Sequence, residues 1–464
     1  MKQIKAFFLD RKNLACLYTL VLLYLVVLLR KSTYGTIHDV FRMFLALWTV
    51  FLCVHDLVKR QIPRQIPVLF QLWIFAAGFL SLVFQTKGRG IDQINTLMVF
   101  ATLGYVFFTL PFFTTKEEFN KLILFLALNG AAVLFLMNAA SLIVLGLHGM
   151  GNTSVSSLYE SMLVMRGTQL RYFGYHQYPT LAGFNSMLAM ILGFIFVSRH
   201  KKPVWYVLQG ANCVMALAMI YLSHARAAMI GTAVIALALL LLLAARKIGG
   251  RHTLRIFATI VLIGILLCLV VFHAKISAVF AYYSDPANLS TLTSERSIVW
   301  STAVEGFLKR PLIGWGWLNG SLIEPITHPS TNNCHNLFFN ILLWTGLLGT
   351  IPFLLLIVYS LVSILRHLKD IYRSNDAWLL VLVLCGFIQC MLDIALAGQD
   401  NRLMDPYFYL AFGGILFSDR LRPEGSLKEA VRKDYGRSYF CCYPYLSSAG
   451  PDYACSGKCF GTDL

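Results

Sequence analysis

Apolar positions in this chain come in long unbroken runs, as in "LACLYTLVLLYLVVLL" and "AAMIGTAVIALALLLLLAA". A membrane β-barrel would alternate apolar and polar residues in ten-residue strands, and these runs do not. About 20 apolar residues cross a hydrocarbon core as a helix. The pattern therefore predicts an all-α polytopic membrane protein with about twelve spans, near 14–29, 41–55, 66–84, 95–113, 122–147, 180–197, 204–222, 227–245, 256–273, 337–362, 377–396 and 404–417. The first run follows a basic stretch, as in a signal peptide. Arg30 and Lys31 stand where a small-residue cleavage site would be, so it reads as a retained span. Residues 1–417 form the expected transmembrane domain. Residues 418–464 form a polar tail without hydrophobic periodicity, expected to be disordered.

Composition agrees, with 58% hydrophobic and 13% charged residues. Soluble domains carry about 25% charged residues. An aromatic share of 14% argues against a disordered chain. The net charge of +17 would suggest nucleic acid in a soluble protein. In a polytopic one it reports topology. Most lysines and arginines fall in the N-terminal segment, the short even-numbered loops and the tail, which puts both termini in the cytoplasm. No nucleic-acid partner is expected. The tail cysteines Cys441, Cys442, Cys455 and Cys459 lack zinc-site spacing and read as free thiols.

Two segments on the opposite, external face are long, near 148–179 and 274–336. Long loops of this kind usually carry function. Within the second, "TSERSIVWSTAVEGFLKRP" predicts an amphipathic helix capped by Thr293 and stopped by Pro311, with Ile298, Trp300, Val304, Phe307 and Leu308 on its apolar side. Such a helix would lie on the membrane surface and bring Arg296 to the interface. Arg226 sits between the seventh and eighth spans with almost no loop around it. An arginine there is costly unless it faces a cavity and an anion, and a guanidinium holds phosphate bidentately. His335 stands at the outer end of the tenth span, where an imidazole has the pKa to take a proton from a hydroxyl.

Taken together, "SHARAAMIG", "ERSIVWSTAVEGFLKRPLIGWG" and "HNLFFNILLWTGLLGTIPFLLL" resemble the successive motifs of the O-antigen ligase and polymerase superfamily, over roughly residues 210–365. The matching positions are Arg226; Arg296 with Trp300; Pro311, Gly314 and Gly316; and His335 with Asn336. The resemblance implies a bacterial inner-membrane enzyme that works on the outer face. Its donor would be an undecaprenyl-diphosphate-linked glycan and its acceptor a glycan or lipid hydroxyl. It implies Arg226 and Arg296 on the diphosphate, His335 as the base, and Trp300 and Asn336 as substrate contacts. Arg171 and Tyr175, just before the sixth span, match more loosely as substrate contacts.

Few acids fall in the two long segments and none forms an Asp-x-Asp pair, so no metal or other cofactor is expected. A capsular or O-antigen polymerase is the leading expectation, with a flippase and a chain-length regulator as implied partners. A ligase acting on a lipid or protein acceptor is the alternative. A polysaccharide flippase is the rival from another class. It would need related halves and charges inside several spans, whereas here the polar residues gather at the outer ends.

Overall fold

A computed structural model describes residues 7–28, 31–60, 62–63, 65–84, 91–166, 169–176, 178–200, 202–248, 296–317, 334–373, 376–392 and 403–417. The span expected at 256–273, the Thr293 cap and the tail lie outside them.

The described chain is almost wholly helical: α1 Arg11–Leu28, α2 Lys31–Val58, α3 Ile66–Val83, α4 Ile91–Thr102, α5 Lys116–Gly149, α6 Pro179–Arg199, α7 Pro203–Ser223, α8 Arg226–Ile248, α9 Arg296–Lys309, α10 Leu337–Arg373, α11 Ala377–Leu392 and α12 Met404–Leu416. The protein is an all-α, multi-pass membrane protein. By length and composition, α3, α5, α6, α7 and residues 337–366 of α10 suffice to cross a bilayer. Helices α6, α7 and the run beginning at Ile66 each open with proline in the first turn, where the missing N–H costs nothing. Thr115 and Glu118 form a reciprocal capping box at the start of α5. Helix α4 continues into a π-turn over Leu103–Phe107.

The bundle has two chemically different ends. At one, Arg11 pairs with Asp56, Lys12 with Glu118, and Arg199 with Asp376 at 3.3 Å. Tyr105, inside the π-turn, donates to the same Asp56 at 2.6 Å, and Arg11 lies over the Phe113 ring. These pairs tie α1 to α2 and α5, and α6 to the start of α11. The long connector after α5 and the start of α10 lie at the other end. The connector contains a feature that the hydrophobic pattern did not announce. It is an antiparallel hairpin of β1 Leu163–Arg166 and β2 Gln169–Tyr172, in register Val164↔Arg171.

Helix α9 forms where expected and ends before Pro311, but its faces differ from the expected ones. Val299, Thr302, Ala303 and Gly306 are buried, whereas Val304 and Leu308 are 38% and 67% exposed. The small residues let α9 lie close against α10. The larger apolar side chains that the pattern assigned to one stripe partly face outward.

Helix α10 is broken and repaired. Gly346 has φ 57° and ψ −152°, outside any helical region. In an unbroken helix the N–H groups of Leu347 and Leu348 would bond to the carbonyls of Leu343 and Trp344. Here Leu347 and Leu348 donate instead to Pro311 O (2.8 Å) and Leu312 O (3.1 Å). The freed carbonyls of Leu343 and Trp344 accept from Trp315 and Gly316, each at 3.0 Å. The turn after α9 is thus inserted into the ladder of α10, and the two N–H and two carbonyl groups it displaces all find new partners. Such a break is tolerated at membrane depth because protein backbone replaces what lipid cannot supply.

The insertion needs two glycines. A Cβ on Gly314 would lie 2.5 Å from the Trp344 carbonyl carbon, and one on Gly346 would lie 2.6 Å from Pro311 O. Trp317, fully buried, locks the end of the turn between Phe100, Trp344 and Gly78. Gly346→Ala should therefore cost about 3 kcal/mol or more. A conformation nearly confined to glycine costs roughly 1–3 kcal/mol for other residues, and a backbone clash adds to that. A lowered unfolding midpoint in detergent, against Gly210→Ala on α7, where a Cβ meets nothing within 4 Å, as the control, is the check.

Candidate functional site

His335 sits in the strand of chain that leads into α10. Its φ is 49°, a left-handed conformation that a residue with a Cβ rarely holds. Both of its neighbours are pinned. The Cys334 N–H donates to Asn340 Oδ1 at 2.8 Å, and the Cys334 carbonyl accepts from Trp300 Nε1 at 2.8 Å. Asn336 caps α10, its Oδ1 accepting from the N–H groups of Phe338 (2.9 Å) and Phe339 (3.3 Å). Its Nδ2 donates to the Met391 carbonyl at the end of α11, at 3.1 Å. The imidazole itself is only partly buried. Strain held by fixed neighbours around a reachable side chain is typical of functional positions.

Trp300 also stacks on Phe339, with ring centroids 5.3 Å apart. Arg296 lies one turn earlier on the same face of α9, so the helix delivers it to the His335 corner. The Arg-x-x-x-Trp spacing thereby acquires a physical meaning: the tryptophan fixes α9 against the start of α10, and the arginine rides beside it. Asn336 and Trp300 are occupied by protein partners, which assigns both a structural task at this corner.

Arg226 is the first residue of α8 and is exposed. Only His224 and Ala225 separate α7 from α8. His224 takes a left-handed conformation, and Ala225 packs against Gly183, where a Cβ would meet it at 2.3 Å. A cation at a helix N-terminus opposes the helix dipole, and an anion bound at that end would be favoured by both.

Helix α11 is tied both to α8 and to the residue next to His335. Cys385 Sγ lies 3.6 Å from the Gly231 carbonyl, fixing α11 against α8. Arg226 is five residues from Gly231 and Met391 six from Cys385, in opposite chain directions. At about 1.5 Å per residue both stand at nearly one level. Met391 in turn is bonded to Asn336, next to His335. Arg226 and the Asn336–Met391 tie beside His335 thus stand at nearly one level of the bundle, and Arg296 lies one turn before Trp300, which bonds to the residue preceding His335.

Arg171 and Tyr175 belong to the hairpin limb that lies beside the Arg226 turn. Tyr172, Met162, Val144, Ala182 and Met219 form a small buried cluster, with Leu222 against it, four residues before Arg226. Arg171 is partly buried and Tyr175 is 44% exposed. A polar network that sequence reasoning did not assemble anchors this limb. His176 Nε2 donates to Asn138 Oδ1 at 3.0 Å, and Asn185 Nδ2 donates to His176 Nδ1 at 3.3 Å. Ser186 donates to the same Asn138 oxygen at 3.0 Å. Tyr172 donates to the Ser141 carbonyl at 2.6 Å, and the Tyr175 N–H to Ser141 Oγ at 3.0 Å. The available signal was polar residues inside apolar runs, Asn138 and Ser141 above all. Among the described residues no group of three or more histidine, cysteine or acidic side chains is arranged to hold a metal ion.

Residues 211–354 match the model of the O-antigen ligase family. They run from α7 through Arg226, Arg296, Trp300 and His335 to the repaired break in α10, which is the part of the chain just assembled. Over this segment the chain is similar to the O-antigen ligase family. One similar protein is a ComP-specific O-oligosaccharyltransferase of Acinetobacter baylyi (strain ATCC 33305 / BD413 / ADP1), 27% identical over 114 residues. That alignment covers 23% of this chain and 20% of the relative, so the chain spans about a fifth of the relative it matches. The superfamily motifs thus fall on two kinds of position here: charged side chains, and the glycines and tryptophans that brace α9 against α10.

Two outcomes are expected. Asn336→Ala removes the cap of α10, typically worth about 1 kcal/mol, and the tie to Met391. Asn336→Ser keeps the cap alone and should lie between wild type and alanine in thermal unfolding. His176 is buried, which lowers its pKa from 6.5 to about 4. A depressed value means the anchor is fully present above pH 6.5 and is lost as pH falls towards 4. The loss is on the order of 3 kcal/mol. Melting midpoints between pH 7 and 4 should fall further in wild type than in His176→Gln, which has no proton to gain.

Proposed function

We propose that the chain is a membrane glycosyltransferase that moves an oligosaccharide from undecaprenyl diphosphate to an acceptor hydroxyl on the outer face of the bacterial cytoplasmic membrane. The observation that carries this reading is the strained, reachable His335, pinned through Cys334 to the helix that carries Arg296, within the segment matched by the O-antigen ligase family that also holds Arg226.

In the reaction the bond between the anomeric carbon and the diphosphate oxygen breaks, and the acceptor oxygen bonds to that carbon. His335 takes the acceptor's proton. The diphosphate leaves as an anion, and the guanidiniums of Arg226 and Arg296 meet its growing charge without a divalent ion. The N-terminus of α8 adds its dipole at the same place. Arg171 and Tyr175 contact the glycan or diphosphate from the hairpin limb, while Trp300 and Asn336 hold the histidine. The excess of basic residues on the short loops, together with ion pairs such as Arg11–Asp56 at that end, supports a cytoplasmic placement of the end opposite the site.

The readings part at the acceptor. A polymerase adds the glycan to another repeat unit, and a flippase and a chain-length regulator would then be its partners. The relative's description as an O-oligosaccharyltransferase favours the second reading, in which a lipid or protein receives the glycan.

Purified enzyme with lipid-linked glycan separates the roles. His335→Ala should keep donor binding and lose about 10²–10⁴-fold in turnover, the usual worth of a general base. Arg226→Lys keeps the charge but loses the planar fork, so it should bind donor more weakly. Chelation of divalent ions should leave the rate unchanged. Wild-type turnover by His335→Ala would remove the base from this mechanism. Ladders of glycan length would identify a polymerase, and glycan on a single acceptor would identify a ligase.

A further inference from the structure

We propose that His176 is a positioning residue that clamps the Arg171–Tyr175 limb over the entrance to α6, so that the limb presents a preformed wall to the lipid-linked glycan. The proposal rests on the transfer reading above for the nature of the ligand. It rests on the structure for the clamp.

His176 is 2% exposed and lies between two spans. Its two ring nitrogens join the limb to both of them, through Asn138 on α5 and Asn185 on α6. Each nitrogen has one partner of the correct sense: the one facing the Asn138 oxygen donates, and the one facing the Asn185 amide accepts. Only the neutral ring protonated at Nε2 satisfies both. Asn138 Oδ1 is held in turn by Ser186, so the clamp is seated on a rigid base.

The chain from Tyr172 to Tyr175 is fixed one turn further along α5. Gly174, at φ 59°, brings its backbone against Ser141, where a Cβ would lie 2.1 Å from the hydroxyl oxygen. Tyr175 follows with its ring exposed, and Arg171 precedes it on β2. The limb thus has two anchors on α5 and one on α6, and it carries its candidate contacts between and beside them. A limb fixed in advance avoids the ordering cost that a free loop meets when ligand arrives.

Two readouts test this, one of which does not need activity. Ala182, fully buried, lies in the cluster beneath the limb. In an Ala182→Cys background, thiol labelling at that position, read by peptide mass, reports whether the limb is seated. His176→Ala should raise the labelling rate at least tenfold. His176→Gln, with an amide N–H for Asn138, should restore protection. In transfer assays His176→Ala should raise KM for the lipid-linked glycan severalfold with kcat changed less, because the base at His335 is untouched, and His176→Gln should recover most of the loss.

Unchanged labelling in His176→Ala, or no recovery with glutamine, overturns the clamp. Increased labelling with KM unchanged and kcat lost also overturns it, since the limb would then be unlinked to binding. A wild-type protein that transfers no glycan overturns the transfer reading alone, and the labelling arms still decide whether the clamp exists.

Discussion

The exchange of backbone hydrogen bonds between the Pro311–Gly316 turn and the broken ladder of α10 is the constraint on which the functional end depends. Four N–H···O=C bonds cross between segments that a simple helical hairpin would leave separate. Because they are main-chain bonds, they fix register as well as proximity. Arg296 and Trp300 lie just before this junction on one side, and His335 lies two to three turns above it on the other. The Trp300 bond to the Cys334 carbonyl is a second, higher tie between the same partners. Two ties at different heights hold α9 at a defined angle, which one tie alone would not do.

Much of the bundle was legible in the sequence because lipid imposes a simple rule: every backbone group must be met within the helix, over a length set by the membrane. Eleven of the expected spans fall on described helices, although α2 begins ten residues before its expected span and α10 runs eleven residues past its own. Less legible were features where residues far apart complete each other. The glycines of "PLIGWG" and "WTGLLG" read as separate flexible points, and only the pairing of the Gly314 and Gly346 positions shows why neither tolerates a Cβ. The orientation of α9 failed for a similar reason. Periodicity finds a stripe by hydrophobicity, but close helix contact selected its small residues, Ala303 and Gly306, for the buried side.

The candidate site was partly legible. The charged residues Arg226, Arg296 and His335 stood out because ionisable groups beside apolar spans are rare. Asn336 and Trp300 were singled out only by the family resemblance, and the structure gives both of them protein partners. The network was hidden because Asn138, though set inside an apolar run, does not name its partners, and His176, Asn185 and Ser186 each look like an ordinary polar residue near a span end. Its meaning comes from three segments meeting, which no local pattern encodes.

The repaired break in α10 also bears on how the protein is made. The upper part of that helix, from Leu337 to Trp344, cannot complete its last carbonyl bonds by itself, and the lower part begins with N–H groups that need partners from the earlier turn. In hydrocarbon each unmet group costs several kcal/mol. Entering the bilayer alone, α10 would have to be straight, with Gly346 helical, and would have to open afterwards to admit the turn. Because the turn precedes α10 in the chain, it has already been synthesised when the helix emerges. Helix α10 is therefore suited to partition into the membrane as the second half of a joined unit, with the ordering of the candidate site's end as part of its insertion.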